Sequence, residues 1–146
     1  MNKLKIFIAT PISSFSNNKE YLNFRYIIMN LVSELRKDFC VYSEIEEFVK
    51  MNSFDEPAKA ISKDFDNILI SDFFILIHPS KMQTSTLIEL GYAFAHKKNI
   101  IIISSKNDLP YLALGMSEII DNVFFLECAD INNDIVDKIP KIIKNW

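Results

Sequence analysis

The chain has 146 residues, 49% of them hydrophobic and 24% charged, with 16 Lys and Arg against 19 Asp and Glu for a net charge of −3. This length suits a single domain over 1–146, and the composition supplies a core and excludes a disordered chain. The acidic balance and the scattered basic residues argue against a nucleic-acid partner, because binding a phosphate backbone needs clustered cations. Lys97–Lys98 and the stretch from Lys138 to Lys144 read instead as solvated helix ends or faces. Cys40 and Cys128 lie far apart, outside any Cys-x-x-Cys pair, and read as free buried thiols in a reducing compartment. His78 and His96 are isolated, and no Cys, His and carboxylate cluster has ligand spacing, so neither a metal nor another cofactor is expected. No apolar run approaches the ~20 residues that span a bilayer, and no signal-peptide pattern precedes the first strand. A cytoplasmic protein with no membrane partner is the expectation.

The elements alternate along the chain. Leu4–Ala9 reads as a strand, followed by a polar loop from Thr10 to Lys19. Glu20 to Lys37 repeats apolar residues at three- and four-residue steps, as an amphipathic helix does. Phe39–Tyr42 reads as a short strand. Ser43 to Asp55 is read as an irregular acidic loop in which Glu44, Glu46 and Glu47 are solvated, although its place after a strand leaves one of them free to bind a sugar hydroxyl. Pro57 opens a helix that runs to about Ile70, since proline is tolerated in a first turn. Phe73–Ile77 is continuously apolar, the signature of a parallel strand covered on both faces. A helix from about Thr86 to His96, a strand Asn99–Ser104, a short helix from Leu109 to Ile120, a strand Asn122–Leu126 and a helix Ile131–Asn145 complete the order.

This order predicts an α/β fold: a single-domain open parallel five-stranded sheet with helices on both faces, Rossmann- or flavodoxin-like. Ligands in such sheets bind at the carboxyl ends of the strands. The candidate site therefore draws on residues 9–17, 43–47, 78–89 and 104–117. The chain has only two glycines, Gly91 and Gly115, so a GxGxxG fingerprint and a P-loop are both absent. Classical dinucleotide binding and P-loop phosphoryl transfer are thereby disfavoured.

The segment Gln83-Thr-Ser-Thr-Leu-Ile-Glu-Leu-Gly-Tyr-Ala93 carries the strongest chemical signal. Hydroxyl residues precede a helix whose free N–H groups favour anions, and Glu89 lies near its start. An ionised carboxylate beside a sugar cleft can attack an anomeric carbon or stabilise an oxocarbenium ion. Thr86-x-x-Glu89 fits a capping box equally well, in which Glu89 would bond only the helix end. Asp64, Asp66 and Asp72 flank the end of the helix opened by Pro57 and the start of the strand Phe73–Ile77, and Asp72 also fits a turn-holding role. Tyr92 and Phe94 read as core aromatics, and Gly91 as a position of close helix–sheet approach.

A strand ending in Ala9-Thr10-Pro11, Asp72 before an apolar strand, then Glu89-Leu-Gly-Tyr-Ala93 and a lysine-rich turn together resemble the nucleoside 2-deoxyribosyltransferase family. Its smaller relatives include nucleotide N-glycosidases of about this length. The resemblance spans Lys5 to Val123. It implies that Glu89 is the nucleophile and that Asp64, 25 residues earlier, protonates the leaving base. It further implies a substrate-binding set of Phe7, Ala9, Thr10, Pro11 and Ser13, with Ser14 beside it, and Gln83, Thr84, Ser85 and Thr86 at the helix start. Ser117 falls near where the family supplies a polar residue, often across the interface of a homodimer or higher homo-oligomer. The chain departs from the family at Phe7, where a tyrosine hydroxyl is usual, at Gln83, where transferases often carry an aspartate, and at Thr84-Ser85-Thr86, which replaces a glycine-containing turn. The expected activity is an N-glycosidase or N-ribosyl or deoxyribosyl transferase acting on a nucleoside or nucleoside 5′-phosphate. Two alternatives stay open: a NAD-cleaving enzyme resembling TIR domains, and a nucleotide-binding module without catalysis.

Overall fold

Alternating apolar strands and amphipathic helices fold into one parallel sheet covered on both faces. The computed structural model describes residues 2–146. Its elements are β1 (Lys5–Ala9), α1 (Asn18–Leu35), β2 (Cys40–Ser43), α2 (Glu44–Met51), α3 (Pro57–Ile70), β3 (Phe73–His78), α4 (Ser85–Ala95), β4 (Asn99–Ser104), α5 (Tyr111–Ile119), β5 (Val123–Glu127) and α6 (Asp134–Lys144). The strands pair in the order β2-β1-β3-β4-β5, all parallel. The continuously apolar runs take the middle of the sheet because both of their faces are covered: every residue of β3 is buried. The edge strand β5 is buried only at Val123.

Side chains alternate across the sheet, so each strand feeds two separate cores. Ile6, Ile8, Ile75, Ile77, Ile101 and Ile103 pack with the buried faces of α1 and α6. Phe7, Ala9, Phe74, Leu76, Ile100 and Ile102 pack on the other face with Ile68 of α3, Leu90 and Ala93 of α4 and Ala113 of α5. Among the described residues, no helix is long and apolar enough to cross a membrane.

The chain leaves β1 toward β2 on one side, while β3 pairs on the other. The carboxyl ends of β1 and β3 therefore form the topological switch point, where connections diverge and leave a crevice. Asp72 fixes the relation of these two strands: its carboxylate accepts from the Lys5 N–H at 2.7 Å, and its own N–H donates to the Lys5 carbonyl at 2.8 Å.

The structure corrects several sequence expectations. The segment after β2 is helical rather than an irregular loop. Ser43 caps α2 by accepting from the Glu46 N–H at 3.4 Å, and Asn52 closes it in the left-handed region at φ 52°. Glu46 is buried, held bidentate by Arg36 at 2.6 Å on both oxygens and by Lys50 at 3.1 Å. Helix α1 starts at Asn18, two residues before the predicted start, because the Asn17 side chain accepts from the Glu20 N–H at 2.9 Å. Gly91 is exposed, and a Cβ there would meet nothing within 4 Å, so no close helix approach requires it. Cys40 is exposed because it lies on the edge strand β2, and Cys128, just after the opposite edge strand β5, is half-buried; both are free.

Glu46→Ala is expected to destabilise the fold by about 1 kcal/mol, since it breaks a charge-assisted pair that joins α1 to α2 but is half open to water on the Arg36 side. Chemical denaturation checks this, and a midpoint unchanged from the parent chain would contradict it.

Candidate active site

A cavity of about 310 Å³ lies over the switch point. Its wall is built from the β1–α1 loop (Thr10, Pro11, Ser13 and Ser14), the β2–α2 junction (Tyr42, Glu44 and Glu47), the aromatic pair Phe48 and Phe54, α3 (Lys63 and Asp64) and the start of α4 (Gln83 to Thr86, and Glu89). Ser14 has φ 69°, a left-handed conformation that turns the β1–α1 loop at the cavity rim.

Helix α4 begins two residues earlier than the capping-box reading requires. Its N-cap is Thr84, with no side-chain cap bond. Thr86 is thus the second helical residue and Glu89 the fifth, beyond the reach of a reciprocal cap. Side chains on a helix lean toward its N-terminus, which carries the Glu89 carboxyl back toward the cavity. Glu89 is 6% exposed, and its Oε2 is buried without a hydrogen-bond partner. Thr10 Oγ1, Gln83 Oε1 and Thr86 Oγ1 are likewise buried and unpartnered. Orphaned polar atoms cost free energy unless water or a ligand satisfies them, and these four belong to residues that line one cavity.

Three carboxyls from three helices converge here. Oxygens of Glu44, Asp64 and Glu89 lie within 4.8 Å of one another. The acidic segment after β2 thus holds a buried site carboxyl in Glu44, where sequence reading expects a solvated loop; Glu46 is locked in its ion pair, and Glu47 faces the cavity rim. Burial, then the charge of Glu89, then that of Asp64, hold the Glu44 carboxyl well above the usual carboxylate range. Burial and the Asp64 charge push Glu89 up to about 8, opposed by a hydrogen bond with Glu44. Burial raises Asp64 to about 6, opposed by Lys63 and by the Tyr42 hydroxyl. Tyr42 is raised in turn by burial and by Asp64. Lys63 is drawn partly aside by Glu47 at 3.4 Å, so the centre of the cluster has an excess of negative charge. Protons can relieve that excess, and three clustered carboxylates also suit a hard divalent cation. No local spacing in the sequence reveals such a set, because its members stand on separate helices.

The other expected site residues fall in two groups. Thr10, Pro11, Ser13, Gln83, Thr84, Ser85 and Thr86 line the cavity with Asp64 and Glu89. Phe7 and Ala9 lie fully buried under its floor in the sheet core, where Phe7 stacks on Tyr42 at 5.2 Å and on Phe74 at 5.6 Å. Ser117 lies outside the cavity lining, and its hydroxyl donates to the Leu114 carbonyl of its own helix at 2.8 Å. His78, the last residue of β3, is buried, its Nε2 3.2 Å from the Asp108 carbonyl. Tyr92 packs flat on Phe65 with centroids 3.7 Å apart.

The geometry defines an open parallel α/β protein with a carboxylate cluster at its switch point, and known structures share this fold. A CMP N-glycosidase of Clostridium botulinum, BcmB, superposes with a TM-score of 0.64 at 22% identity, over 94% of this chain and 98% of that one. BlsM, solved in solution, superposes at 0.69 and 18% identity, over 99% and 96%. A conserved protein from Enterococcus faecalis V583 superposes at 0.58 and 12% identity, over 96% and 99%. No family model and no curated protein matches the chain. The fold is the one implied by the resemblance to nucleoside 2-deoxyribosyltransferase-like proteins and small nucleotide N-glycosidases.

Proposed function

We propose that the protein cleaves the N-glycosidic bond of a nucleoside or nucleoside 5′-phosphate, or exchanges its base, with Glu89 as nucleophile. The observation that carries this reading is the buried, unpartnered Glu89 carboxyl facing a switch-point cavity with Asp64 beside it. The shared fold with a CMP N-glycosidase supports the same class of substrate.

In this mechanism a Glu89 oxygen attacks C1′ of the sugar while the C1′–N bond breaks and its electron pair leaves with the base. The reactive form is the one with Glu89 ionised and Asp64 protonated; in it Asp64, raised by burial to about 6, supplies a proton to the departing base nitrogen. The resulting glycosyl ester is opened when Asp64, now ionised, takes a proton from water or from an incoming base that attacks C1′. Glu89 is released as the carboxylate. The close approach of the carboxyls fits a double displacement, which needs ~5 Å, rather than direct attack by a water held between groups ~6.5–9.5 Å apart. The Thr86 and Thr10 hydroxyls, buried without a partner, would bond sugar or phosphate oxygens in this reading.

A homo-oligomer, as the family resemblance implies, accompanies this activity. Helix α5 leaves Tyr111 88% exposed, with Leu112 and Ile119 beside it, an apolar surface suited to a second copy.

Base release from a panel of nucleosides, nucleoside monophosphates and NAD, followed by chromatography with and without EDTA, tests the reading. Free base from a nucleoside or monophosphate, undiminished by EDTA, is the expected result. Asp64→Asn is expected to slow release on the order of 100-fold, least for substrates whose base leaves without a proton. Release of nicotinamide alone would favour the NAD-cleaving alternative. Loss of activity in EDTA would replace the nucleophile with a metal-bound water.

A further inference from the structure

Glu44 has no counterpart among the residues that sequence reading assigns to catalysis, yet it lies at the centre of the site. It is the first residue of α2, just after the Ser43 cap, and its Oε1 is buried without a partner, as is Glu89 Oε2. The neighbouring cations are engaged elsewhere: Arg36 and Lys50 with Glu46, and Lys63 with Glu47. On β1, Phe7 offers no hydroxyl to the site. Two buried carboxyls this close, without a cation between them, do not both ionise; one proton placed between them gives each a hydrogen-bond partner and removes the like charge.

We propose that Glu44 is the positioning residue of this site: it carries a proton that it donates to Glu89, and this hydrogen bond aims the Glu89 carboxylate at the cavity. The inference rests on the role of Glu89 given above. The productive state holds one proton in the pair. Two protons quench the nucleophile, and none removes the donor and sets two charges against each other. The groups facing the pair are Tyr42 from β2, Glu47 from α2, Asp55 from the α2–α3 loop, and Lys63 and Asp64 from α3. Of these, Asp64 is the one that lies within the carboxyl cluster and must be followed with the pair.

Two substitutions separate this role from simple packing. Glu44→Gln keeps a donor that cannot be lost at any pH, whereas Glu44→Ala removes it. Glu44→Gln is expected to retain base release within about tenfold, and Glu44→Ala to lose on the order of 100-fold, mainly in kcat, as a misaimed nucleophile does. An independent readout needs no activity: the carboxyl carbons of ¹³C-glutamate-labelled protein, followed by NMR against pH. In the parent chain the Glu44 and Glu89 carbons are expected to report the same two steps, because the protons belong to the pair. In Glu44→Gln, Glu89 is expected to titrate in one step. Separate, single-step titrations of the two glutamates in the parent chain would overturn the shared proton, as would a Glu44→Ala variant as active as the parent. A shared two-step titration in a chain that releases no base from any substrate would leave the pair standing and remove the glycosidase reading instead. Loss of activity in Glu44→Gln together with loss in EDTA would assign the cluster to a cation.

Discussion

Glu89→Ala is expected to lower base release by roughly 10³–10⁶-fold, the range for removal of a covalent nucleophile, while the protein stays folded. The two halves of this expectation have separate causes. Activity falls because no other group lining the cavity is both a carboxylate and placed at the start of α4. The fold survives because Glu89 caps nothing: the α4 N-cap is Thr84, and Glu89 Oε2 bonds to no protein group. Glu89→Gln should lose activity similarly, since an amide oxygen does not form a stable glycosyl ester. The alanine variant leaves room for a small anion, so added azide should restore turnover and yield a glycosyl azide of the opposite anomeric configuration to the substrate, because azide in the place of Glu89 displaces the base in one inverting step. The measurement is initial rate by chromatography beside a circular dichroism spectrum. A folded Glu89→Ala protein with parental activity would remove Glu89 from the mechanism.

The parent chain is expected to be more stable near pH 5 than near pH 8, the reverse of what ion-paired carboxylates produce. Burial raises the Glu89 carboxyl from an unfolded value of 4.5 to about 8 in the folded protein, and Asp64 from 3.8 to about 6. The folded state therefore binds more protons than the unfolded state between these values, and stability falls with rising pH across that interval. This contribution is complete below about pH 4.5 and is lost as pH rises through about 8. Glu44 adds to it with the same sign. Glu46 acts in the opposite sense: its ion pair with Arg36 lowers its carboxyl, so its contribution is present above its unfolded value and disappears on strong acidification. Stability should consequently peak between these two effects.

A tenfold bias in a protonation equilibrium is worth about 1.4 kcal/mol. With water in the cavity easing the desolvation, Glu89→Gln should gain on the order of 2 kcal/mol at pH 8. That corresponds to roughly 4–8 °C for a domain of this size. Thermal unfolding from pH 5 to pH 9 reads the effect directly. The parent midpoint should fall across this range, and the Glu89→Gln midpoint should fall much less. Parallel curves would show that the Glu89 carboxyl ionises in the folded protein as easily as it does unfolded. A gain in stability at the cost of activity is the behaviour expected of a functional group held in a costly environment.

Local rules account for much of the fold. Phe73–Ile77 and Asn99–Ser104 could be read as central parallel strands because an uninterrupted apolar run is tolerated only where both faces are covered. The alternation of these runs with 3.6-residue periodicity requires crossover helices and hence a parallel sheet with a site at the strand ends. Helix α2 was also legible in principle. Ser43-x-x-Glu46 has the spacing of a capping box, of which the Ser43 half forms, Glu46 and Lys50 are spaced for an ion pair, and Asn52 is a suitable left-handed terminator. The density of acids in this segment favoured a solvated loop, because sequence alone does not show that Arg36 lies across from Glu46.

By itself, the sequence determined the class of fold, the edge of the sheet that forms the cavity, and the position of Glu89 at the start of a helix beside that edge. These follow from periodicity and local motifs, which depend on neighbours a few residues apart. Tertiary structure alone decided that Glu89 reaches into the cavity instead of capping α4, that Phe7 and Ala9 form floor rather than wall, and that Ser117 bonds within its own helix. It also decided that Glu44, Asp64 and Glu89 meet. Their approach is set by strand order: placing β1 between β2 and β3 opens the crevice and aims the starts of α2 and α4 and one flank of α3 into it. A meeting of three helices so far apart along the chain leaves no trace in any local pattern, and the burial that raises their carboxyls exists only once the sheet has closed over them.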